Sequence, residues 1–268
     1  MGQPANPNPT CTTPAWRAGW LRSALLPVTL LLGLLAWWLL ANWSDLPAFI
    51  LPAPPQVWNR FVALAADGSL LRHSAATLSE VLAGLLLGTT LAAALGYAIA
   101  KSPSMERLLS PYIVASQAIP VVAIAPLLVI WFGPGWISKV VVAALIVFFP
   151  VLVNTVVGVR SVPADLYDLM RSLRASRRQT FFKLEIPAAL PVLFGGLKVG
   201  ATLSVIGAVV GEFVGADRGL GFLINLGRGL YDTPQVFVGI FALVAMALIL
   251  YGLISLAESW LLSWRRPE

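Results

Sequence analysis

The chain has a single cysteine, Cys11, and a single histidine, His73. One thiol excludes an internal disulfide and a cysteine-based metal cluster, and one imidazole leaves little for metal or acid–base chemistry. Charge is scarce as well. Only 11% of residues are Asp, Glu, Lys or Arg, where a soluble domain carries about 25%. The acidic residues in or near the apolar runs are Glu80, Glu212 and Glu258. So short a set offers no charge relay for proton-coupled transport. Nor do His, Asp and Glu cluster at one face as a membrane enzyme would require.

What the sequence has instead is apolar length. Of 268 residues, 58% are hydrophobic, the composition of a polytopic membrane protein. The expected fold is all-α, with six transmembrane helices at about 24–42, 77–100, 111–132, 138–159, 192–213 and 236–262. A cytoplasmic tail over 1–21 reads as disordered or interfacial, and 22–264 as the transmembrane domain. The apolar run after Arg22 exceeds the h-region of a cleaved signal and reads as a retained first span. Trp20, Trp43, Trp131, Trp136, Trp260 and Trp264 lie where interface anchors belong. A proline segment from Ile50 leads to a short amphipathic helix over 56–72, lying along the membrane surface. Residues 101–107 read as a polar loop, and Gly215 to about Pro234 as a glycine-rich, non-helical segment.

Small residues recur at four-residue spacing in two spans. They are Gly84, Gly88, Ala92 and Gly96 in the second, and Gly196, Gly200, Ser204 and Ala208 in the fifth. Such faces let helix backbones approach closely in lipid. Ser116, Gln117, Pro120 and Pro126 predict a third span that is kinked or locally unwound. Intramembrane polar groups are functional candidates by default. Glu80, in the first turn of its expected span, reads as a helix-dipole or interfacial charge before a ligand contact. Glu258 reads as interfacial, and Lys198 as snorkelling to the inner surface. Glu212 is open to a pathway or gate role. Gln117 and Asn154 face either a cavity or a neighbouring helix, the interhelical hydrogen bond being the safer reading.

Six spans put both termini on one side, and the basic residues choose which. With the N-terminus inside, 12 of 18 fall on inner segments: Arg17, Arg22, Lys101, Arg107, Arg160, Arg171, Arg174, Arg177, Arg178, Lys183, Arg265 and Arg266. Five fall outside, at Arg60, Arg72, Lys139, Arg218 and Arg228, and Lys198 lies in a span. The bias follows the positive-inside rule, so the net charge of +6 is a topology signal and not a nucleic-acid footprint.

The longest polar interval, 161–187, lies on that inner side. Ser161, Pro163 and Asp165 mark one helix start, and Ser176 with Gln179 forms a capping box for a second. Leu166, Leu169, Met170 and Leu173 give the first arm an apolar stripe. Phe181, Phe182, Leu184 and Ile186 do the same for the second, which Pro187 is expected to end. A two-helix hairpin breaking at Arg174–Ala175 then has nothing in its own loop to bury against, and docking onto a soluble partner is the expectation.

This hairpin resembles the cytoplasmic coupling signature of binding-protein-dependent ABC importer permeases. That pattern is an acidic residue and two alanines, a glycine four residues on, and a hydrophobic-x-hydrophobic-proline close. Asp168, Leu169 and Met170 occupy its first places, Arg174 the glycine place, and Leu184, Ile186 and Pro187 the close. Ala175 and Ser176 also look like the family. Arg174 departs from it, because a non-glycine residue in the left-handed region costs about 1–2 kcal/mol. Either it bears that strain or the break is shaped differently. Ala123 to Pro126, Trp131 to Gly133, Phe149 to Asn154, Gly211 to Gly221 and Leu51 to Pro54 look like the nitrate/sulfonate/taurine branch. The hairpin variant and the 211–221 segment are most similar to permeases for riboflavin or the thiamine-precursor pyrimidine.

The resemblance implies a bacterial inner-membrane permease subunit with no cofactor of its own and no enzymatic activity. ATP and Mg would be bound by a partner ABC ATPase, and an extracytoplasmic substrate-binding protein would deliver the cargo. A second permease copy would complete a homodimer in the lipid. The same machinery for sulfonate, taurine, nitrate or a related small anion is the alternative within the class. A secondary carrier without an ATPase is the rival outside it, and a non-transporting membrane scaffold for an ATPase is another.

Overall fold

A computed structural model describes residues 15–43, 47 and 49–263, and the described residues form helices and short connections without strands. Cys11, Trp264, Arg265 and Arg266 lie outside the described residues. Helix α1 (Ala15–Trp43) extends the expected first span back into the tail. Then come α2 (Pro54–Ala66), α3 (Ser69–Lys101), α4 (Pro103–Gln117), α5 (Val121–Phe132) and α6 (Trp136–Arg160). The rest comprises α7 (Ala164–Ser172), α8 (Arg177–Thr180), α9 (Ile186–Gly215), α10 (Leu220–Gly229) and α11 (Thr233–Leu261). Among the described residues α3, α6, α11 and the continuous stretch Arg177–Gly215 are long and apolar enough to cross a membrane. Helices α4 and α5, bent by 94° at their junction, make at most a fifth span. In α1 only the shorter apolar stretch Pro27–Trp43 stands out.

Helix α6 is the centre of the bundle, packed between α3 and α9. Both neighbours present their small residues to it. A Cβ added to Gly88 would lie 2.6 Å from the Ala144 carbonyl oxygen, a backbone atom that cannot yield. The glycine is therefore required by close approach. Gly84 and Gly96 meet α6 in the same way, as do Gly196 and Gly207 from α9. Ala92, Ala143 and Val147 are wholly buried in these seams, while Val81, Ala201 and Ala208 are wholly buried where α3 and α9 meet α10 and α11. Large apolar side chains such as Leu86, Ile206 and Leu248 point outward, as expected of helices in contact with lipid.

Several boundaries differ from the sequence expectation. Gly68, at φ +72°, ends α2 and lets α3 begin eight residues before the expected span. The 101–107 stretch is mostly helical, because Ser102 caps α4 by accepting from the Met105 amide at 3.3 Å. The third span is broken outright at Ala118–Pro120. The segment after Gly215 is not a loop: Leu220, Leu223, Ile224 and Gly227 are buried along one face of α10. Pro187 does not end a helix either. A π-turn over Phe181–Glu185 precedes it, and α8 runs through that turn into α9. Its wider ring relieves the clash and the missing donor that a proline brings to an α-helix interior.

Candidate functional site

The hairpin end is shaped by local rules. Helix α7 closes with a Schellman motif: the Ala175 amide donates to Met170 O at 2.9 Å and the Arg174 amide to Arg171 O at 2.9 Å. Arg174 takes the left-handed position at φ +52°, so it bears the strain that the glycine of the family pattern avoids. Ser176 and Gln179 form the reciprocal capping box, at 3.2 Å from the Gln179 amide and 2.7 Å from the Ser176 amide. These bonds fix the angle between α7 and α8. On α7, Leu166, Leu169 and Leu173 are 38%, 52% and 67% exposed. They form a ridge one helix face wide, left uncovered by the described residues. Asp168 pairs with Arg171 at 2.9 Å on the exposed surface. Met170, Ala175, Leu184, Ile186 and Pro187 are half-buried where the hairpin meets the spans.

The opposite end holds a buried polar cluster. Helix α10 has no side-chain cap of its own, and its first amides are met from other helices. The Gly219 amide donates to His73 Nδ1 at 3.0 Å and the Leu220 amide to Thr77 Oγ1 at 2.7 Å. The Gly221 amide donates to Glu212 Oε2. Thr77 Oγ1 in turn donates to Glu212 Oε1 at 2.6 Å. A carboxylate at this position also faces the positive end of the α10 dipole. Gly219 is required twice over: its φ is +116°, and a Cβ there would collide with the Glu212 carboxyl. Alongside, Lys139 Nζ lies 3.3 Å from Glu80 Oε1. Glu80, Lys139 and Glu212 are only 2%, 1% and 1% exposed. Farther along α10, the Gln235 amide donates to Leu223 O at 2.9 Å, and Arg60 bonds Gln235 at 2.7 Å and Asp232 at 2.6 Å.

The expected roles sort accordingly. Glu212 sits in the α10 seat, with both oxygens engaged. Glu80 is not a first-turn interfacial charge, because α3 starts at Ser69 and carries it inward to Lys139. Lys198 pairs with Glu258 on α11, which is therefore a partner between spans and not a lone interfacial charge. Asn154 turns its amide back to Pro150 O of its own helix at 2.8 Å, with Gly196 packed against its Cβ. Gln117 is exposed at the α4 end, its amide 3.5 Å from Ile113 O. Sequence reasoning missed His73, Thr77 and Lys139. The first two had a signal, since 73, 77, 80, 84 and 88 continue one helix face from polar to small. No metal-holding group of His, Cys, Asp or Glu occurs among the described residues.

Known proteins give the arrangement its context. The model of the binding-protein-dependent transport system inner membrane component family matches residues 84–263. A riboflavin transport system permease protein of Chloroflexus aurantiacus is 49% identical, covering 89% of each chain. A formylaminopyrimidine transport permease protein of Halalkalibacterium halodurans is 36% identical, covering 91% of this chain and 98% of that one. The fold is also that of a chain from the inward-facing MetNI methionine ABC transporter, with TM-score 0.61 at 18% identity over 78% of this chain and 98% of that chain. The chain belongs to the binding-protein-dependent transport system inner membrane component family, and it is a permease subunit of an ABC importer.

Proposed function

We propose that the hairpin is the joint through which a separate ATPase subunit drives this permease. The observation that carries the reading is the Leu166–Leu169–Leu173 ridge, apolar, exposed and held on a helix whose C-terminal end is closed by a Schellman motif. Uncovered apolar surface costs roughly 25 cal/mol per Å², which favours a partner with a matching groove. Asp168, Leu169 and Leu173 supply the contact face, and Met170 backs it against the spans. Arg174, Ala175 and Ser176 set the angle of the joint, and Leu184, Ile186 and Pro187 carry it into α9. The positive-inside bias supports a bacterial inner membrane with the hairpin and both termini in the cytoplasm.

In this reading ATP and Mg belong to the ATPase, and the chain itself is no enzyme. Two copies pair, because one hairpin per chain serves one of the two grooves of an ATPase dimer. Closure of that dimer turns each bundle as a rigid body, and a substrate-binding protein delivers the cargo from outside. Gln117, Asn154 and Glu212 are the pathway candidates. Gln117 is the one whose amide is most free to meet a solute, while Asn154 and Glu212 are held in helix contacts. The identities above support riboflavin or a thiamine-precursor pyrimidine as the cargo. Sulfonate and taurine permeases, 31% and 32% identical, support the alternative of a small anion.

The test is ATP-dependent uptake by the complete transporter in vesicles, with labelled riboflavin, pyrimidine precursor and taurine compared. Leu169→Asp should leave the protein inserted and abolish coupling of ATP hydrolysis to uptake. Wild-type uptake by that variant would overturn the docking assignment, and uptake without any ATPase would overturn the importer mechanism.

A further inference from the structure

Beneath the hairpin lies a cavity of about 670 Å³ that the docking ridge does not use. Its walls come from three elements: Tyr97 and Lys101 at the end of α3, Tyr167 and Arg171 on α7, and Arg177 on α8, with Glu185 of the π-turn beside them. The one carboxylate on its lining is spoken for. Glu185 takes Lys101 Nζ at 2.5 Å and the Tyr97 hydroxyl at 2.8 Å. The Tyr167 hydroxyl accepts from Lys101 at 3.3 Å, which leaves its own proton free to donate. The Arg171 guanidinium has only an exposed surface pair, and that of Arg177 has no hydrogen bond, ion pair or ring contact among the described residues. The cavity therefore offers two guanidinium groups and a phenol to an anion, with surplus positive charge.

A second feature says what kind of anion. Directly alongside runs a groove of about 370 Å³ between α3 and α9, floored by α6. Tyr97 and Glu185 belong to both spaces. Ala93, Ala94, Val159, Phe181, Ile186 and Leu193 make the groove almost wholly apolar. A cationic cavity continuous with an apolar groove between spanning helices fits one chemistry, an amphiphile with a negative head. Basic pockets between transmembrane helices bind acidic lipid headgroups on the cytoplasmic side.

We propose that the cavity and groove together form a binding site for one anionic phospholipid, its phosphodiester on Arg171, Arg177 and Tyr167 and an acyl chain along Ala94 and Leu193. Bound there, the lipid joins α7 and α8 at its head to α3 and α9 along its chain, and so fixes the hairpin's seat against the spans. The inference rests on the cytoplasmic placement of the hairpin proposed above.

The test reads lipid retention on the full chain. The chain is released from phosphatidylglycerol or phosphatidylcholine nanodiscs and weighed by native mass spectrometry. The wild type should retain one phosphatidylglycerol and no phosphatidylcholine. The Arg171→Gln/Arg177→Gln double variant should bind the anionic lipid about thirtyfold more weakly. Ala94→Trp, which fills the groove and leaves the cations alone, should also lose the lipid. Equal retention of both lipids overturns the proposal, as does retention unchanged in both variants. Binding of inorganic phosphate by the Ala94→Trp protein as by wild type, without lipid retention in either, would make the cavity a soluble-anion site and overturn it too. Failure of the docking reading is separately visible, because Leu169→Asp should lose the ATPase subunit and keep the lipid.

Discussion

Around α10, three backbone amides, two carboxylates, a threonine, an imidazole and a lysine are buried together, and each amide has a side chain from another helix to meet it. Around α7, three leucines and a strained arginine stand exposed, and apart from the Lys101–Tyr167 contact the stabilising bonds are local. The first region is bound to α3 by the bonds of Gly219, Leu220 and Glu212 to His73 and Thr77, between residues more than a hundred positions apart. The second is a self-contained shape attached at one side. The contrast separates holding from reaching: one end is built so that its neighbours cannot be exchanged, the other so that something can be added.

Four changes would break or sharpen this contrast. Lys139→Ala leaves Glu80 and Glu212 buried without their cation. Breaking a buried pair costs about 3–5 kcal/mol, so thermal unfolding in detergent should fall steeply; an unchanged midpoint would mean that the α10 seat is not held by charge. Leu169→Asp should leave that midpoint unmoved while ATPase binding weakens by about thirtyfold or more, the scale of an interface hot spot of 2 kcal/mol. Titration of the purified permease with its ATPase measures it, and a matching loss of stability would blur the two regions. Arg174→Gly removes left-handed strain, so the hairpin's opening free energy, read by hydrogen exchange, should rise by about 1 kcal/mol. Ser176→Ala removes a cap and should lower the same quantity by about 1 kcal/mol, with no change at α10.

What the sequence made legible follows the reach of each interaction. The four-residue spacing of Gly84, Gly88, Ala92 and Gly96 showed a close-packing face, because helical periodicity alone defines it. The break at Arg174 and the box at Ser176 and Gln179 were readable, since both are closed within a few residues. Helix α10 was not. The glycines from Gly215 to Gly221 signal a turn, and the real purpose of Gly219 and Gly221, room for the Glu212 carboxyl, exists only once α9 lies beside α10. Lys139 looked like a loop cation by its place in the chain, and its partner lies 59 positions away. Lys198 and Glu258 sit on separate spans, so nothing local announces their pairing. Pro187 misled because proline's usual effect assumes α-helical geometry, and the π-turn before it changes the rule.

That turn has a mechanical consequence. By fusing α8 to α9 it makes one unbroken rod of 39 residues from Arg177 to Gly215. At 1.5 Å per residue the rod is about 58 Å long, well beyond the roughly 30 Å of a bilayer's oily core. One tip carries the elbow of the hairpin; near the other, Glu212 grips the floor of α10. A tilt imposed at the first tip arrives at the second as a swing in the opposite sense, with no loop between them to absorb the stroke.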